Sequence, residues 1–358
     1  MTRPPIRVLI VDDSAIVRGL LARAIDDNPE ITLAGTAMHG EAALTFLARQ
    51  EVDVVLLDVE MPVMDGLAAL EQIQKRFPDV RVIMVSGHTQ EGADVTVRAL
   101  GLGAAGCVAK PMGRNASESI ATVSKELIPL ITALGGKSRR SLTGQSVFKA
   151  PSTFVPTRIE RAMIPRVVVI GSSTGGPQAL RTVLTQIPVD FPLPILIVQH
   201  MPPMFTPMLA RHLEKDTGRP TSEGAPGMPV VGGHTYVAPG DYHMQLVRRS
   251  DQVTLELTQA PQEHFCRPSV NPLFRSAASL YGSGVAALML TGMGEDGLEG
   301  SREVASRGGW IVAQDETSSV VWGMPGAIVK AGLAQEILPL EEIAPALLRR
   351  CLQETCRS

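Results

Sequence analysis

Cysteine is scarce in this sequence of 358 residues: there are four, Cys107, Cys266, Cys351 and Cys356, and no two form a CxxC pair. That spacing predicts neither a disulfide framework nor a zinc site, and a reducing cytoplasm is the expected setting. Long apolar runs are missing too, since no uninterrupted stretch reaches the ~18 residues of a membrane span. The run from Arg3-Pro4-Pro5 into Ile6 lacks the apolar core of a signal peptide. A basic balance is also absent: the formal net charge of -3 gives no general attraction to nucleic acid, and no helix-turn-helix signature is visible. What the chain has is length and α/β composition. At roughly one domain per 100–200 residues it should hold two. With 44% hydrophobic and 19% charged residues, 33 Gly and 27 Pro, it fits an ordered α/β protein with many short turns.

Residues 6–11, 52–57 and 80–85 are apolar and β-branched runs of strand length, separated by helical patterns. They predict parallel strands covered on both faces, in a doubly wound sheet. From Ser117, the residues Ile120, Val123, Leu127, Ile131 and Leu134 recur at helical spacing, with Pro129 expected to kink the helix or shift its register. The first domain is therefore set at 1–134. Residues 135–163 lack a sustained period and read as a linker. They carry six basic side chains against one acidic, while residues 1–134 carry 12 against 17, so the segment is either a solvated tether or is drawn to the acidic domain. A second α/β series fills 164–358, with strand runs at 166–170, 195–198, 286–290 and 310–313 and an antiparallel hairpin from 243–247 and 253–257.

In an open parallel sheet, ligands gather at the carboxyl ends of strands. In the first domain those ends carry matched chemistry: Asp12 and Asp13 after the first strand, Asp58 on the third, Ser86 on the fourth and Lys110-Pro111 after 107–109. A lone strand-end aspartate is more often a helix cap. Three clustered carboxylates instead call for a hard divalent cation such as Mg²⁺, beside which Asp58 could attack phosphorus while Lys110 balances charge.

In the second domain, Gly171-Ser172-Ser173-Thr174-Gly175-Gly176-Pro177 follows the first strand and leads into a helix, where peptide N–H groups can stabilise an anion. A helix cap or phosphate loop is the competing reading of such a serine, but GxGxxG spacing and a P-loop lysine are both lacking. Gln199-His200 ends the next strand, and Thr291-Gly292-Met293-Gly294-Glu295-Asp296-Gly297 ends a later one. Serine, histidine and aspartate on strand-end loops are what serine hydrolysis needs, because imidazole can take the hydroxyl proton near neutrality and a carboxylate fixes its tautomer. The residues alone leave Ser172 and Ser173 equal as nucleophile, and Asp241 and Asp315 as alternative acids. His200 is the best placed of the seven histidines; His212, His234, His243 and His264 read as loop or surface positions.

Two resemblances sharpen this. Residues 6–134, through Asp58-Val59-Glu60-Met61-Pro62-Val63-Met64-Asp65-Gly66 and Lys110-Pro111, resemble the receiver domains of two-component response regulators. That implies a flavodoxin-like fold, Asp58 as acceptor of a phosphoryl group from a chemotaxis histidine kinase, Asp12, Asp13 and Asp58 with the Glu60 backbone holding Mg²⁺, and Ser86 and Lys110 sensing the phosphate. Cys107 stands where receivers often carry an aromatic ring, so the usual ring movement is not carried over; as a small core residue it is preferred to a redox sensor. Residues 164–345 resemble the catalytic domain of chemotaxis-specific protein-glutamate methylesterases, through residues 171–176, Gln199-His200-Met201-Pro202, Ala238-Pro239-Gly240-Asp241, Arg267-Pro268-Ser269-Val270, Leu290-Thr291-Gly292-Met293-Gly294 and Gly323-Met324-Pro325.

The second resemblance implies a doubly wound esterase domain with a mainly parallel sheet, nucleophile Ser173, base His200, acid Asp296, and backbone oxyanion donors at Met293 and Thr174. It also implies glutamyl methyl esters of methyl-accepting chemoreceptors as substrate, glutamine deamidation as a companion reaction, no cofactor for ester hydrolysis, and recruitment from the cytoplasm to receptor arrays. Cys266 replaces a common histidine and Asn271 a common aspartate; both are expected to bear on the receptor-facing surface more than on the chemistry. Two other classes compete: a response regulator whose second domain only binds a partner or DNA, and a Rossmann-type oxidoreductase. The missing fingerprints count against both.

Overall fold

The computed structural model describes residues 4–26, 28–87, 90–110, 116–138 and 164–352. Pro111 and most of the expected linker, residues 139–163, lie outside them.

The first half alternates strand and helix: β1 (Ile6–Val11), α1 (Ala15–Asp26), β2 (Ile31–Ala37), α2 (Gly40–Leu47), β3 (Val54–Asp58), α3 (Gly66–Arg76), β4 (Arg81–Ser86), α4 (Gln90–Gly101), β5 (Gly106–Ala109) and α5 (Ala116–Ser138). Its sheet has the order β2-β1-β3-β4-β5, with every pairing parallel. Because β3 lies under helices on both faces, all five of its residues are buried, which is why it reads as an unbroken apolar run. The sheet reverses direction between β1 and β3, and this switch point sets Asp12 beside Asp58. The strand β2 went unread in the sequence because its burial is mixed and its run includes Gly35. Helix α5 passes through Pro129 and ends at Ser138, so the boundary drawn after Leu134 falls inside it.

The second half contains β6 (Val167–Ser172), α6 (Gly176–Leu184), β7 (Ile195–Gln199), α7 (Thr206–Thr217), β8 (Thr221–Glu223), β9 (Thr235–Val237), β10 (His243–Arg249), β11 (Gln252–Thr258), α8 (Val270–Tyr281), β12 (Val285–Met289), α9 (Leu298–Ser306), β13 (Trp310–Gln314), α10 (Met324–Lys330), β14 (Glu336–Leu338) and α11 (Leu340–Leu352). Seven strands form a parallel sheet in the order β14-β13-β12-β6-β7-β9-β8, and β10 and β11 make the expected antiparallel hairpin. The three-residue strands β8, β9 and β14 are too short for any period to show. In this sheet the chain reverses direction between β12 and β6. Ser173 follows β6, His200 follows β7, and Asp296 lies on the loop after β12, so the three residues rise from neighbouring strands at one end of the sheet.

The halves touch. Helix α4 packs on α6 and α7, the Gly175 N–H donates to the Ala105 carbonyl at 2.9 Å, and His212 meets Asp94 at 3.0 Å. Arg181 reaches the Gly101 carbonyl at 3.5 Å.

At the start of α3, Gly66 lies so close to β3 that a methyl group there would sit 2.0 Å from the Asp58 carbonyl oxygen. Gly66→Ala should therefore destabilise the first half by ~1–3 kcal/mol, the usual cost of overpacking. Urea unfolding of the two proteins measures it, and an unchanged midpoint would contradict the close approach.

Candidate active site

Two strand-end clusters are formed, one in each half. In the first, Asp12 and Asp58 are buried and Asp13 is exposed. The carboxylate oxygens of all three come within 4.8 Å of one another. The Lys110 ammonium lies 2.7 Å from Asp58 Oδ2 and 3.1 Å from Asp12 Oδ2. Apart from that ammonium these two oxygens have no hydrogen-bond donor among the described residues, which leaves acceptor capacity turned into the cluster. An acidic pocket in which one ammonium faces three carboxylates fits a hard divalent cation. Burial pushes Asp58 up to about 6, and Lys110 only partly offsets it. The Glu60 N–H donates to Asp58 Oδ1 at 3.4 Å. Ser86 is buried, and its hydroxyl is directed away, donating to the Gly87 and Gly92 carbonyls at 3.2 and 3.4 Å.

In the second cluster, adjacent serines have different surroundings. Ser172 is fully buried, and its hydroxyl donates to Gln199 Oε1 at 2.8 Å. Ser173 is only partly buried and lines a cavity of about 120 Å³ together with His200. Gly176 lies so close to Gln199 that a methyl group would sit 1.9 Å from Oε1, so only glycine fits beneath this turn. Gln199 then ties the loops together, donating to the Ser173 and His200 carbonyls at 2.9 and 3.2 Å. The sequence carried Gln199 only as part of a motif; nothing in its spacing announced this bracing role.

His200 Nε2 lies 2.8 Å from Asp296 Oδ2, and Asp296 is buried. The carboxylate also accepts from the Ser269 hydroxyl at 2.7 Å, the Val270 N–H at 2.7 Å and the Gly297 N–H at 2.8 Å. Burial favours the neutral acid, but His200 and these donors outweigh it and hold Asp296 below the usual carboxylate range. For His200, burial works downward, while Asp296 and then Cys266 push the ring up to about 9. The other carboxylates are committed elsewhere: Asp241 pairs with Arg267 at 2.6 Å, and Asp315 binds the Ser318 hydroxyl at 2.6 Å.

Of the expected oxyanion donors, Met293 follows Gly292, whose added methyl would fall 2.9 Å from Ser173 Cβ. The Thr174 carbonyl accepts from the Thr291 hydroxyl at 2.9 Å, and the Ser173 N–H is already given to the Thr291 carbonyl at 3.0 Å.

Three expectations are corrected. His243 is not a surface residue: it is buried, takes the Ser269 N–H on Nδ1 and meets the Pro261 carbonyl through Nε2. Asn271 is buried and accepts the Gly300 N–H at 2.7 Å, so it faces no receptor. Cys266 does not stand apart from the proposed triad: its Sγ lies 3.5 Å from His200 Nδ1. Cys107 is packed partly buried on the receiver core and lines the Ser173 cavity, and burial pushes its thiol up to about 12, a poor nucleophile.

The family model described as CheB methylesterase matches residues 168–347, and that of the response regulator receiver domain matches residues 8–121. The chain belongs to the CheB methylesterase family. It is 44% identical to a protein-glutamate methylesterase/protein-glutamine glutaminase of Rhodospirillum rubrum, over 96% of this chain and 95% of that one. It is 42% identical to one from Azospirillum brasilense, over 95% of this chain and 91% of the other. The crystal structure of the Thermotoga maritima CheB methylesterase catalytic domain matches with TM-score 0.51 and 38% identity, covering 52% of this chain and 99% of that domain. The receiver-plus-methylesterase architecture read from the motifs is thus the family's own.

Against the downward effect of burial, Asp296 and Cys266 raise the His200 ring. Asp296→Asn removes the first of these two and leaves Cys266 opposed by burial. Nitrogen-detected NMR titration should find the His200 midpoint falling in the variant; a midpoint that stays put would remove Asp296 as its cause.

Proposed function

We propose that this chain is a phosphorylation-controlled serine hydrolase that demethylates glutamyl methyl esters of methyl-accepting chemoreceptors, releasing methanol, and deamidates receptor glutamines at the same site. One observation carries the reading: Ser173 and His200 line one cavity while the far nitrogen of His200 is fixed on buried Asp296. Its relatives' names supply the substrate class.

Ser173 is the nucleophile and His200 the base. With Nε2 engaged by Asp296, Nδ1, which meets the Cys266 thiol at 3.5 Å in the resting site, is the nitrogen that takes the hydroxyl proton as Oγ attacks the γ-carbonyl. The proton returns to the leaving methoxide, methanol departs, and an acyl-enzyme remains. Water then adds by the same base, the Ser173 oxygen leaves with the proton, and a receptor carboxylate is released. Peptide N–H groups of Met293 and Thr174 stabilise the oxyanion, the Ser173 N–H being committed to Thr291. Ammonia is a poorer leaving group than methanol, so deamidation is the slower reaction. No step draws on a cofactor.

In the receiver half, Asp58 accepts the phosphoryl group from a chemotaxis histidine kinase. Asp12, Asp13 and Asp58, with the Glu60 backbone, would hold Mg²⁺, which supplies positive charge against the carboxylates and the phosphoryl oxygens. Lys110 and Ser86 read the phosphate. No helix among the described residues is long and apolar enough to cross a membrane, which suits a cytoplasmic enzyme recruited to receptor arrays.

Control follows from the junction between halves. Leu100, Ala105, Gly106, Cys107 and Leu130 of the receiver half line the Ser173 cavity, and Ala105 accepts the Gly175 N–H two residues from the nucleophile. This arrangement supports a receiver that covers the catalytic mouth until phosphorylation shifts the population toward an uncovered state.

Ser173→Ala should abolish methanol release from methylated receptor membranes with the fold intact. Ser172→Ala keeps the nucleophile but strands the Gln199 acceptor, costing ~1–3 kcal/mol of stability; parental turnover by Ser173→Ala would refute the assignment. A fragment beginning at Ile164 should exceed the unphosphorylated full chain at equal folded concentration, whereas Asp58→Ala should keep basal activity and lose stimulation by a small phosphodonor with Mg²⁺. A fragment slower than the parent would replace steric cover with an activating interface, and an Asp58→Ala protein that still responds would remove Asp58 as the control point.

A further inference from the structure

One short segment handles both members of the His–Asp pair. Between Glu263 and Val270 the chain sets Cys266 Sγ 3.5 Å from His200 Nδ1, then sends the Ser269 hydroxyl and the Val270 N–H to Asp296. The position of Cys266 is over-determined. It closes a tight turn in which the Glu263 and Cys266 backbones exchange hydrogen bonds at 3.2 and 2.9 Å. The residues at the tip, His264 and Phe265, both take left-handed φ, 50° and 62°, an unfavourable conformation for side chains of their size. Such strain persists only where the surroundings hold it. Here Arg275 grips Glu263 before the turn, and Arg267 reaches Asp241 with bonds of 2.9 and 2.6 Å after it. The Ser269 N–H is anchored on the buried His243 ring.

The nitrogen that meets Cys266 is the one the proposed reaction needs. Asp296 holds the Nε2 edge at 2.8 Å, so in the neutral ring Nε2 carries hydrogen and Nδ1 carries the lone pair. Among the described residues, Cys266 is the hydrogen-bond partner of Nδ1, and the Ser173 hydroxyl has none. A thiol suits this place in either protonation state, because it donates S–H to a neutral Nδ1 and accepts N–H from the imidazolium.

We propose that Cys266 is a positioning residue for His200: its thiol holds the Nδ1 edge of the imidazole in the resting site, keeps the tautomer with Nε2–H on Asp296, and yields the single Nδ1 lone pair to the Ser173 hydroxyl when that group donates. This rests on the serine-hydrolase reading above, so Ser173→Ala is the reference throughout. The groups facing the ring are Asp296 from the loop after β12 and Cys266 from the turn.

The test uses the full chain, activated by a small phosphodonor with Mg²⁺ and supplied with methylated receptor membranes. Cys266→Ala and Cys266→Ser are compared with the parent for kcat, KM and the pH profile of kcat. Cys266→Ala should lower kcat by about five- to ten-fold, the order one neutral hydrogen bond carries, with KM nearly unchanged and the pH inflection moved down. Cys266→Ser, which keeps a donor and acceptor of similar size, should restore kcat to within about two-fold of the parent. A Cys266→Ala protein with parental kcat and pH profile overturns the proposal. So does a folded Cys266→Ser protein as slow as the alanine variant, because bulk rather than the hydrogen bond would then matter. If Cys266→Ala fails to fold, the serine variant and the NMR midpoint of His200 within it decide alone. Turnover by Ser173→Ala would instead bring down the hydrolase reading itself.

Discussion

The catalytic half is organised around a single buried negative charge. Asp296 is 2% exposed, and a carboxylate in that position is tolerable only if its lone pairs are filled. The fold fills them from three directions. His200 comes from β7, Ser269 and Val270 come from the N-terminus of α8, and Gly297 comes from the carboxylate's own loop. The helix N-terminus adds its partial positive charge to the set. Each donor fixes the loop that carries it, so satisfying the charge also places the imidazole. Removing one partner of such a pair costs ~3–5 kcal/mol, because the remaining charge is stranded. This is why the site can be rigid although its residues lie on loops.

The receiver half treats buried charge in the opposite way. Asp12 and Asp58 share one ammonium, Lys110, and the oxygens that face it have no other hydrogen-bond donor among the described residues. Burial holds Asp58 up to about 6, well above an ordinary aspartate. The first cluster keeps acceptor capacity for a cation, whereas internal donors fill that of Asp296, although both use the same residue type at the same kind of strand end.

Both clusters were legible in the sequence because parallel strands buried on two faces read as apolar runs, and the residue at the end of each run is then easy to find. Asp58, Ser86, His200 and Lys110 were found this way, and so were the two sheets. Short strands such as β8 and β14 left no period to read. The choice between Ser172 and Ser173 depended on which hydroxyl is turned inward to Gln199, and adjacent identical residues carry no sequence signal for that. His243 was misplaced because a histidine opening a hairpin looks like a loop residue until its two partners are in view. Cys266 was assigned to the surface for a similar reason: its contact with His200 spans 66 positions in the chain and is created by a strained turn that no composition rule predicts.

The junction between the halves combines a shared apolar cluster with a few polar contacts. Among the described residues its polar contacts include the Gly175–Ala105 backbone bond, the Asp94–His212 pair with Asp94 half exposed, and a long Arg181–Gly101 bond. An exposed pair of this type contributes ~0–1 kcal/mol, and a net hydrogen bond about as much. Moving a two-state equilibrium from 99:1 to 1:99 takes ~5.5 kcal/mol of differential interaction. Apolar packing adds to what a phosphoryl group must offset: one buried cluster holds Val97, Leu100 and Ala104 of the first half together with Ala179, Leu180 and Leu209 of the second. The route is short: Ser86 ends β4 with its hydroxyl on α4, Lys110 follows β5, and the covering residues Ala105–Cys107 lie at the start of that same strand. If Asp58 is the phosphoacceptor as proposed, a pull on Ser86 and Lys110 toward it would act on the two elements that lie against Ser173, without any aromatic ring at Cys107 to carry it.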